Sequence, residues 1–69
     1  MIHKFYFIQS SMLDSCEYDD KTSELSVTFK NGRTYIYIDV SKDIYNNLID
    51  AKSAGAYFNS IKNELKVKA

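Results

Sequence analysis

Two tyrosines, Tyr35 and Tyr37, stand two residues apart in a run that is typical of a β-strand. Because side chains alternate across a strand, both rings lie on the same face of the sheet. Three interpretations fit this spacing: the rings pack across strands and shield the backbone, they form a platform on which planar ligands such as bases stack, or a helix or another subunit covers them. The sequence leaves all three open.

A second candidate site is the segment Ser53-Ala54-Gly55, which opens a predicted helix. Free N–H groups at a helix start bind anions, and glycine allows a phosphate to come close. Lys52 and Arg33 could add positive charge. The alternative interpretation is an ordinary N-cap followed by a glycine required by packing, since short motifs of this kind often match by chance.

Residues suited to catalysis or metal binding are scarce. Catalysis by a nucleophile or a base needs a reactive group that a second group orients. His3 lies near the N-terminus, and Cys16 has no evident basic partner and is expected to pack as a small apolar residue. One cysteine and one histidine argue against a four-ligand zinc site. We therefore predict no enzyme activity, no catalytic residues, no metal and no cofactor.

The elements that position these residues begin with a predicted β-hairpin at residues 24–40. Asn31-Gly32 between two alternating runs favours a two-residue type I′ turn. A turn of that length places Val27 opposite Ile36 on the core face. The same register predicts that both tyrosines lie on the other, polar face of the sheet.

The rest of the chain supplies two earlier strands and two later helices. Residues 3–9 and 12–18 are predicted strands, the second with a bulge near Asp14-Ser15. After Val40 the apolar spacing becomes helical. The fold class is therefore α+β: an antiparallel three- to four-stranded meander sheet, followed by two short C-terminal helices packed on one face.

Both helices have recognisable N-caps. Ser41 caps the first, which is predicted to end near residues 51–52, and Ser53 caps the second. The apolar face of the second helix is predicted to continue to Leu65. Three lysines near the C-terminus of the chain suit the dipole of that helix, and the alternative is that they form a phosphate-binding patch: Lys62, Lys66 and Lys68.

Size and charge limit the kind of partner. Residues 1–69 make one domain, and so short a chain buries only about 60% of its unfolded surface. A single cysteine excludes an intramolecular disulfide, so we predict a homo-oligomer. Nine basic and nine acidic residues give zero net charge, which argues against duplex DNA or RNA as a ligand but not against a small nucleotide or short single-stranded RNA.

The same residues bear on localisation. No apolar run approaches the ~20 residues of a membrane span, and the N-terminal segment lacks the features of a signal peptide. The free thiol fits a reducing compartment. We therefore predict a cytoplasmic protein without a membrane partner.

The order of motifs resembles the KTSC domain family across roughly residues 9–63. The resemblance is carried by Ser10-Ser11, Tyr18-Asp19, Leu25-x-Val27-x-Phe29-x-Asn31-Gly32, Tyr35-x-Tyr37 and Ala51-x-Ser53-x-Gly55-x-Tyr57-Phe58-Asn59. The chain departs from the family where Val40-Ser41 replaces a frequent Val-Pro before the first helix, which affects only a helix start. The family is named for its occurrence at the C-terminus of some lysyl-tRNA synthetases, and it includes many free-standing bacterial and phage proteins.

The resemblance implies which residues belong to a site. By position it carries over Ser11, Tyr35, Tyr37, Ser53, Gly55, Tyr57, Phe58 and Asn59. With Arg33 added for charge, the predicted ligand-binding set is Arg33, Tyr35, Tyr37, Ser53, Gly55, Tyr57 and Asn59.

Three functions are compatible with this set. The first is a non-enzymatic module for a nucleotide-type ligand, which in a phage could sequester a host nucleotide signal at sites between subunits as a counter-defence. The second is an RNA-binding auxiliary, as the company of a synthetase suggests. The third is a protein-interaction module that uses the tyrosine face.

Overall fold

Alternating apolar residues separated by polar turn clusters give the first half of the chain four consecutive antiparallel strands. The structure is a computed structural model that describes residues 1–68. Its strands are β1 (Ile2–Tyr6), β2 (Leu13–Asp19), β3 (Glu24–Phe29) and β4 (Thr34–Ile38). They are followed by helices α1 (Lys42–Asp50) and α2 (Ala54–Ile61), a 3-10 turn (Lys62–Glu64) and strand β5 (Lys66–Val67). The sheet order is β1-β2-β3-β4-β5.

The predicted α+β class and the meander are confirmed, and so are two local features. The β2–β3 register shifts between Leu13 and Ser15, which is the bulge expected near Asp14-Ser15. Helix α1 begins after Ser41, whose hydroxyl accepts the Ile44 N–H at 3.4 Å. Strand β1 ends at Tyr6, earlier than predicted, because the chain bends at residues 8–9.

The β3–β4 hairpin differs by one residue from the predicted register. Val27 pairs with Tyr35, and Phe29 N donates to Arg33 O at 2.8 Å, so the loop contains three residues. A type I′ turn needs positive φ at both central residues, but here Gly32 has φ +89° and Asn31 does not share that conformation. A three-residue loop that ends in a left-handed glycine is the common alternative.

This one-residue difference moves the side chains of β4 to the opposite face. Tyr37 lies opposite Leu25, and both are buried on the face that the helices cover. The predicted placement of Tyr35 and Tyr37 on the polar face is therefore wrong. Ile36 and Ile38 occupy the outer face instead.

The C-terminal segment also departs from the prediction. Helix α2 ends at Ile61 rather than near Leu65, and residues 66–67 pair with β4 as a fifth strand, where three or four had been expected. Lys68 donates its N–H to Ile36 O at 2.6 Å, and its Nζ lies 2.8 Å from Glu24 Oε2. Lys66 and Lys68 thus lie on the sheet edge instead of at a helix end.

The core lies between the sheet and the two helices. Tyr18 and Tyr45 stack at 5.3 Å, and the Tyr18 hydroxyl donates to the Val40 carbonyl at 2.6 Å. The buried apolar side chains come from β2, β3, β4, both helices and the connecting segments: Phe7, Leu13, Cys16, Tyr18, Leu25, Val27, Tyr37, Val40, Tyr45, Leu48, Ala54 and Phe58. Neither described helix has the length and apolar character needed to cross a membrane.

Candidate functional site

The start of α2 faces the segment that joins β1 to β2 across a groove of about 670 Å³. We call it the helix-start groove. Its lining consists of the segment from Phe5 to Met12, Ile49, the segment from Ala51 to Ala56, and Asn59. Its volume lies within the range of about 300–1,000 Å³ that is usual for small-molecule sites.

Unpaired backbone donors lie at one wall of the helix-start groove. The Ser53 hydroxyl accepts the Ala56 N–H at 3.3 Å, which confirms the predicted N-cap. The first N–H groups of a helix have no acceptor within it, and the hydrogen bonds of the described residues include none donated by the Ala54 or Gly55 N–H. These two groups can therefore serve an anion in the groove.

The opposite wall shows that packing does not require glycine at position 55. Ser10 Oγ organises this wall by accepting the N–H groups of Met12 at 3.2 Å and Leu13 at 2.9 Å. A Cβ added to Gly55 would lie 3.5 Å from Met12 Cε and 3.7 Å from Ser10 Oγ. These are ordinary van der Waals distances, so alanine fits at this position.

A second groove of about 340 Å³ adjoins the first, and we call it the tyrosine groove. The two share Met12 and Asn59. The tyrosine groove is lined by Met12, Phe29, Asn31, Arg33, Tyr35, Tyr37, Phe58, Asn59 and Lys62. Four predicted site residues thus meet here, and Asn59 joins them to Ser53 and Gly55 in the helix-start groove.

The two tyrosines differ in what they can offer a ligand. Tyr37 is only 5% exposed, and its ring packs edge-on against Phe58 of α2 at 5.7 Å. Burial, with a smaller contribution from Tyr35, raises the pKa of the Tyr37 phenol, which therefore stays neutral. Of the three interpretations of the pair, cover by a helix is the correct one for Tyr37, and its ring face is not a stacking platform.

Tyr35 is half-buried and packs edge-on against Phe29 at 5.6 Å. Part of its ring remains accessible from the tyrosine groove. Tyr57 lies outside both grooves: it packs partly against the core, and its carbonyl accepts the Ser60 hydroxyl at 2.6 Å. The structure therefore does not bring Tyr57 together with the other predicted residues.

The charged side chains that line the grooves are all basic, although the chain has no net charge. Lys52 lines the helix-start groove, and Arg33 and Lys62 line the tyrosine groove, while no Asp or Glu is among the described lining residues. None of these three cations forms an ion pair with a described residue. The joined grooves are therefore an electropositive region.

The sequence assigns Lys62 to the helix dipole, with a phosphate patch as the alternative, and it gives Asn31 a role only in the turn and Met12 no role in a site. Long-range packing brings these residues to the groove, so local patterns do not identify them. One signal was available for Lys62, because it follows Asn59 by three residues and such residues lie on the same face of a helical segment.

Cys16 lies in the core, and its environment makes it unsuited to nucleophilic chemistry. The thiol is 1% exposed. Burial, with a smaller effect of the Glu17 carboxylate, raises its pKa to about 12. A neutral thiol is a poor nucleophile and metal ligand, and the described residues contain no cluster of three or more potential metal-ligating side chains.

This buried thiol predicts a loss of stability at alkaline pH. The unfolded chain releases the thiol proton near pH 8.5, whereas the folded state retains it up to about pH 12. The buried, protonated thiol therefore makes its full contribution to the free energy of unfolding below about pH 8.5, and this contribution declines as the pH rises towards 12. We expect the free energy of unfolding in urea to fall between about pH 7 and about pH 10, and to fall less in Cys16→Ala.

Cys16→Ala should retain part of the decline, because burial also raises the pKa of Tyr37 and of Tyr45. Equal declines in the two proteins would contradict the role given to the thiol.

Comparison with known proteins finds a protein family whose profile matches most of the chain. The profile of the KTSC domain matches residues 9–64. A protein from Tsukamurella paurometabola is 32% identical over 54 residues, which cover 78% of this chain and 81% of that protein. An uncharacterized protein from Stutzerimonas stutzeri is 37% identical over 54 residues, covering 78% of this chain and 76% of its own length.

A solved structure is similar over nearly the whole chain. The crystal structure of a KTSC domain protein from Yersinia pestis superimposes with a TM-score of 0.88 at 26% identity. The match covers 99% of this chain and 96% of that one.

Proposed function

This chain belongs to the KTSC domain family, and we propose that it is a non-enzymatic module that binds a small nucleotide-type anion in the joined grooves. The observation that carries the proposal is the charge distribution. Arg33, Lys52 and Lys62 line the grooves without an acidic neighbour in the lining. The other basic groups that form ion pairs, such as Lys4 with Glu17 at 3.5 Å, lie elsewhere.

The anionic part of the ligand lies at the start of α2. Ala54 and Gly55 line the groove, and their N–H groups carry the partial positive charge of the helix start. Lys52 lies two residues before Ala54 in the chain. Two backbone donors and one ammonium group suit a phosphate or a similarly charged group.

The planar part of the ligand lies in the tyrosine groove. The accessible part of Tyr35 provides an aromatic contact, and a base on such a ring gains about 1–3 kcal/mol. The Asn59 side chain stands at the junction of the grooves, where it can donate to and accept from a sugar or base. Tyr37 supports Tyr35 and the groove floor from the core.

A binder of this kind acts by holding its ligand. The Ser10 and Ser53 hydroxyls that line the helix-start groove accept backbone N–H groups and are not hydrogen-bonded to a basic side chain, and the buried Cys16 thiol is neutral. Ligand binding without turnover amounts to sequestration of the ligand, which is the role that we propose for this chain.

The proposal predicts that Gly55→Ala weakens nucleotide binding without weakening the fold. Alanine fits the space, and in a helix it is better than glycine by up to about 1 kcal/mol. The added methyl group would, however, lie beside the donors that hold the anion. Isothermal titration with a panel of 5′-mononucleotides and linear dinucleotides should find a ligand that binds Gly55→Ala at least about tenfold more weakly, or about 1.4 kcal/mol.

Ser60→Ala is the matched control, because Ser60 lies on the same helix, exposed and outside both grooves. It should bind as the wild type does. The proposal is wrong if no nucleotide of the panel binds the wild type, or if Gly55→Ala binds with unchanged affinity.

A further inference from the structure

Exposed apolar side chains are concentrated in one segment of the molecule. Six large hydrophobic residues of the described chain are exposed, and five of them lie within residues 1–8. Ile8 is 89% exposed, Ile2 63% and Tyr6 61%. A concentration of exposed apolar side chains in one segment of a small domain points to an interaction site.

This segment contains β1, which forms one edge of the sheet. Met1 O accepts the Asp20 N–H and Phe7 N donates to Asp14 O, so the odd-numbered residues of β1 exchange backbone hydrogen bonds with β2. Backbone groups alternate in direction along an antiparallel strand. The N–H and C=O groups of Ile2, Lys4 and Tyr6 therefore point away from the sheet and are free to pair.

The opposite edge is protected in the ways that proteins use to prevent pairing. Strand β5 has only two residues. It begins with Lys66 and is followed by Lys68. Lys66 Nζ lies 3.8 Å from Asp39 Oδ2, and Lys68 Nζ lies 2.8 Å from Glu24 Oε2. Among the described residues, the β5 edge offers one exposed large apolar side chain, Val67, whereas the segment that contains β1 combines free backbone groups with five of them.

We propose that the β1 edge pairs with the β1 edge of a second copy of this chain, antiparallel and centred on Phe5, so that two five-stranded sheets form one continuous sheet. The outward backbone groups require Lys4 and Tyr6 to form the hydrogen-bonded pairs. Centring on Phe5 pairs Lys4 with Tyr6 of the partner subunit, and it brings Ile2 beside Ile8 of the partner subunit, which lies in the bend after β1. This register covers the whole apolar segment.

The positive charge of Lys4 excludes the register that is centred on Lys4. Centring on Lys4 would place two ammonium groups opposite each other, which is destabilising. In the register centred on Phe5, Lys4 keeps its Glu17 neighbour at 3.5 Å and lies opposite an aromatic ring. A lysine over a tyrosine is favourable, as the intramolecular approach of Lys4 Nζ to within 5.0 Å of the Tyr6 ring centre illustrates.

The pairing also places the two helix-start grooves on either side of the twofold axis, because Phe5 and Phe7 line that groove. The dimer does not depend on the identity of any ligand. Its test is therefore separate from the test of nucleotide binding.

The first test is solution mass. Light scattering coupled to size-exclusion chromatography should give twice the monomer mass of 8.0 kDa. Lys4→Pro should give the monomer mass, because proline removes an outward N–H that β2 does not use. Circular dichroism on the same samples should show that Lys4→Pro remains folded.

The second test fixes the register. The Phe5 pair across the axis is a non-hydrogen-bonded pair, with Cα atoms about 4.5 Å apart, which lies within the span of a disulfide. Phe5→Cys should therefore cross-link to a covalent dimer under mild oxidation with copper phenanthroline. In this register His3 lies opposite Phe7 of the partner subunit, four residues away from His3 of the partner subunit. His3→Cys should therefore stay monomeric on a non-reducing gel.

Both cysteine variants are made in the Cys16→Ala background, because Cys16 lies directly opposite Phe5 in the β1–β2 pairing and could form an intramolecular disulfide with Phe5→Cys. A wild-type protein that is monomeric at all concentrations up to the millimolar range overturns the proposal. So does a dimer in which Lys4→Pro has no effect, or in which His3→Cys cross-links as readily as Phe5→Cys.

Discussion

Replacing Phe58 by alanine is expected to lower the free energy of unfolding by about 3–5 kcal/mol. Phe58 is 1% exposed and joins α2 to the sheet through edge-on contacts with Phe29 at 5.5 Å and Tyr37 at 5.7 Å. The loss includes the transfer of the ring to water and the cavity left between helix and sheet. At roughly 0.05–0.15 kcal/mol per residue, a domain of 69 residues has a stability of about 3.5–10 kcal/mol, so this loss is a large part of it.

Urea unfolding followed by circular dichroism measures this effect. Ser60→Ala, two residues later on the exposed side of α2, should change the free energy of unfolding by less than about 0.5 kcal/mol. If Phe58→Ala loses less than about 1 kcal/mol, then α2 does not contribute to the core as the structure indicates.

Reversing the charge of Arg33 and Lys62 together is expected to remove nucleotide binding. Both side chains are exposed and line the tyrosine groove. Hydrogen bonds to charged groups contribute about 1.5–3 kcal/mol each, and the new carboxylates also repel an anion. We expect Arg33→Glu/Lys62→Glu to weaken binding at least about 100-fold in isothermal titration, with the urea midpoint nearly unchanged.

The matched control is Lys21→Glu/Lys42→Glu. These lysines are exposed and lie outside both grooves, so the double variant has the same net charge as the test protein. Its affinity should fall only slightly, through long-range electrostatics. Equal losses in the two double variants would mean that net charge, and not the grooves, governs binding.

The features that the sequence predicts well are those that local chemistry determines. Ser41 and Ser53 cap the two helices, as a hydroxyl before an apolar stripe indicates. The bulge in β2 follows from broken alternation at Asp14-Ser15. The α+β class follows from the change of apolar period after Val40.

The features that the sequence predicts poorly depend on contacts between distant segments. Asn31-Gly32 fits a two-residue turn and also a three-residue loop with glycine at the left-handed position. The choice between them follows from burying Tyr37 against Phe58, 21 residues later in the chain. Residues 66–67 form a strand only because the edge of β4 is available to pair with them.

The candidate site shows the same division. Ser53, Gly55 and Asn59 were identified from a helix start and from the family pattern, and they line one groove. The stacking role expected of Tyr37 was wrong because a one-residue change of register placed its ring in the core. Asn31 and Lys62 join the tyrosine groove through tertiary packing.

The central claim is that the joined grooves bind a nucleotide-type anion. Native mass spectrometry tests it most directly, after the protein is incubated with the small-molecule nucleotide extract of bacterial cells. The account predicts an adduct of nucleotide mass on the wild type that is lost on denaturation and absent from Arg33→Glu/Lys62→Glu. A wild type that acquires no adduct, or a double variant that carries the same one, would contradict it.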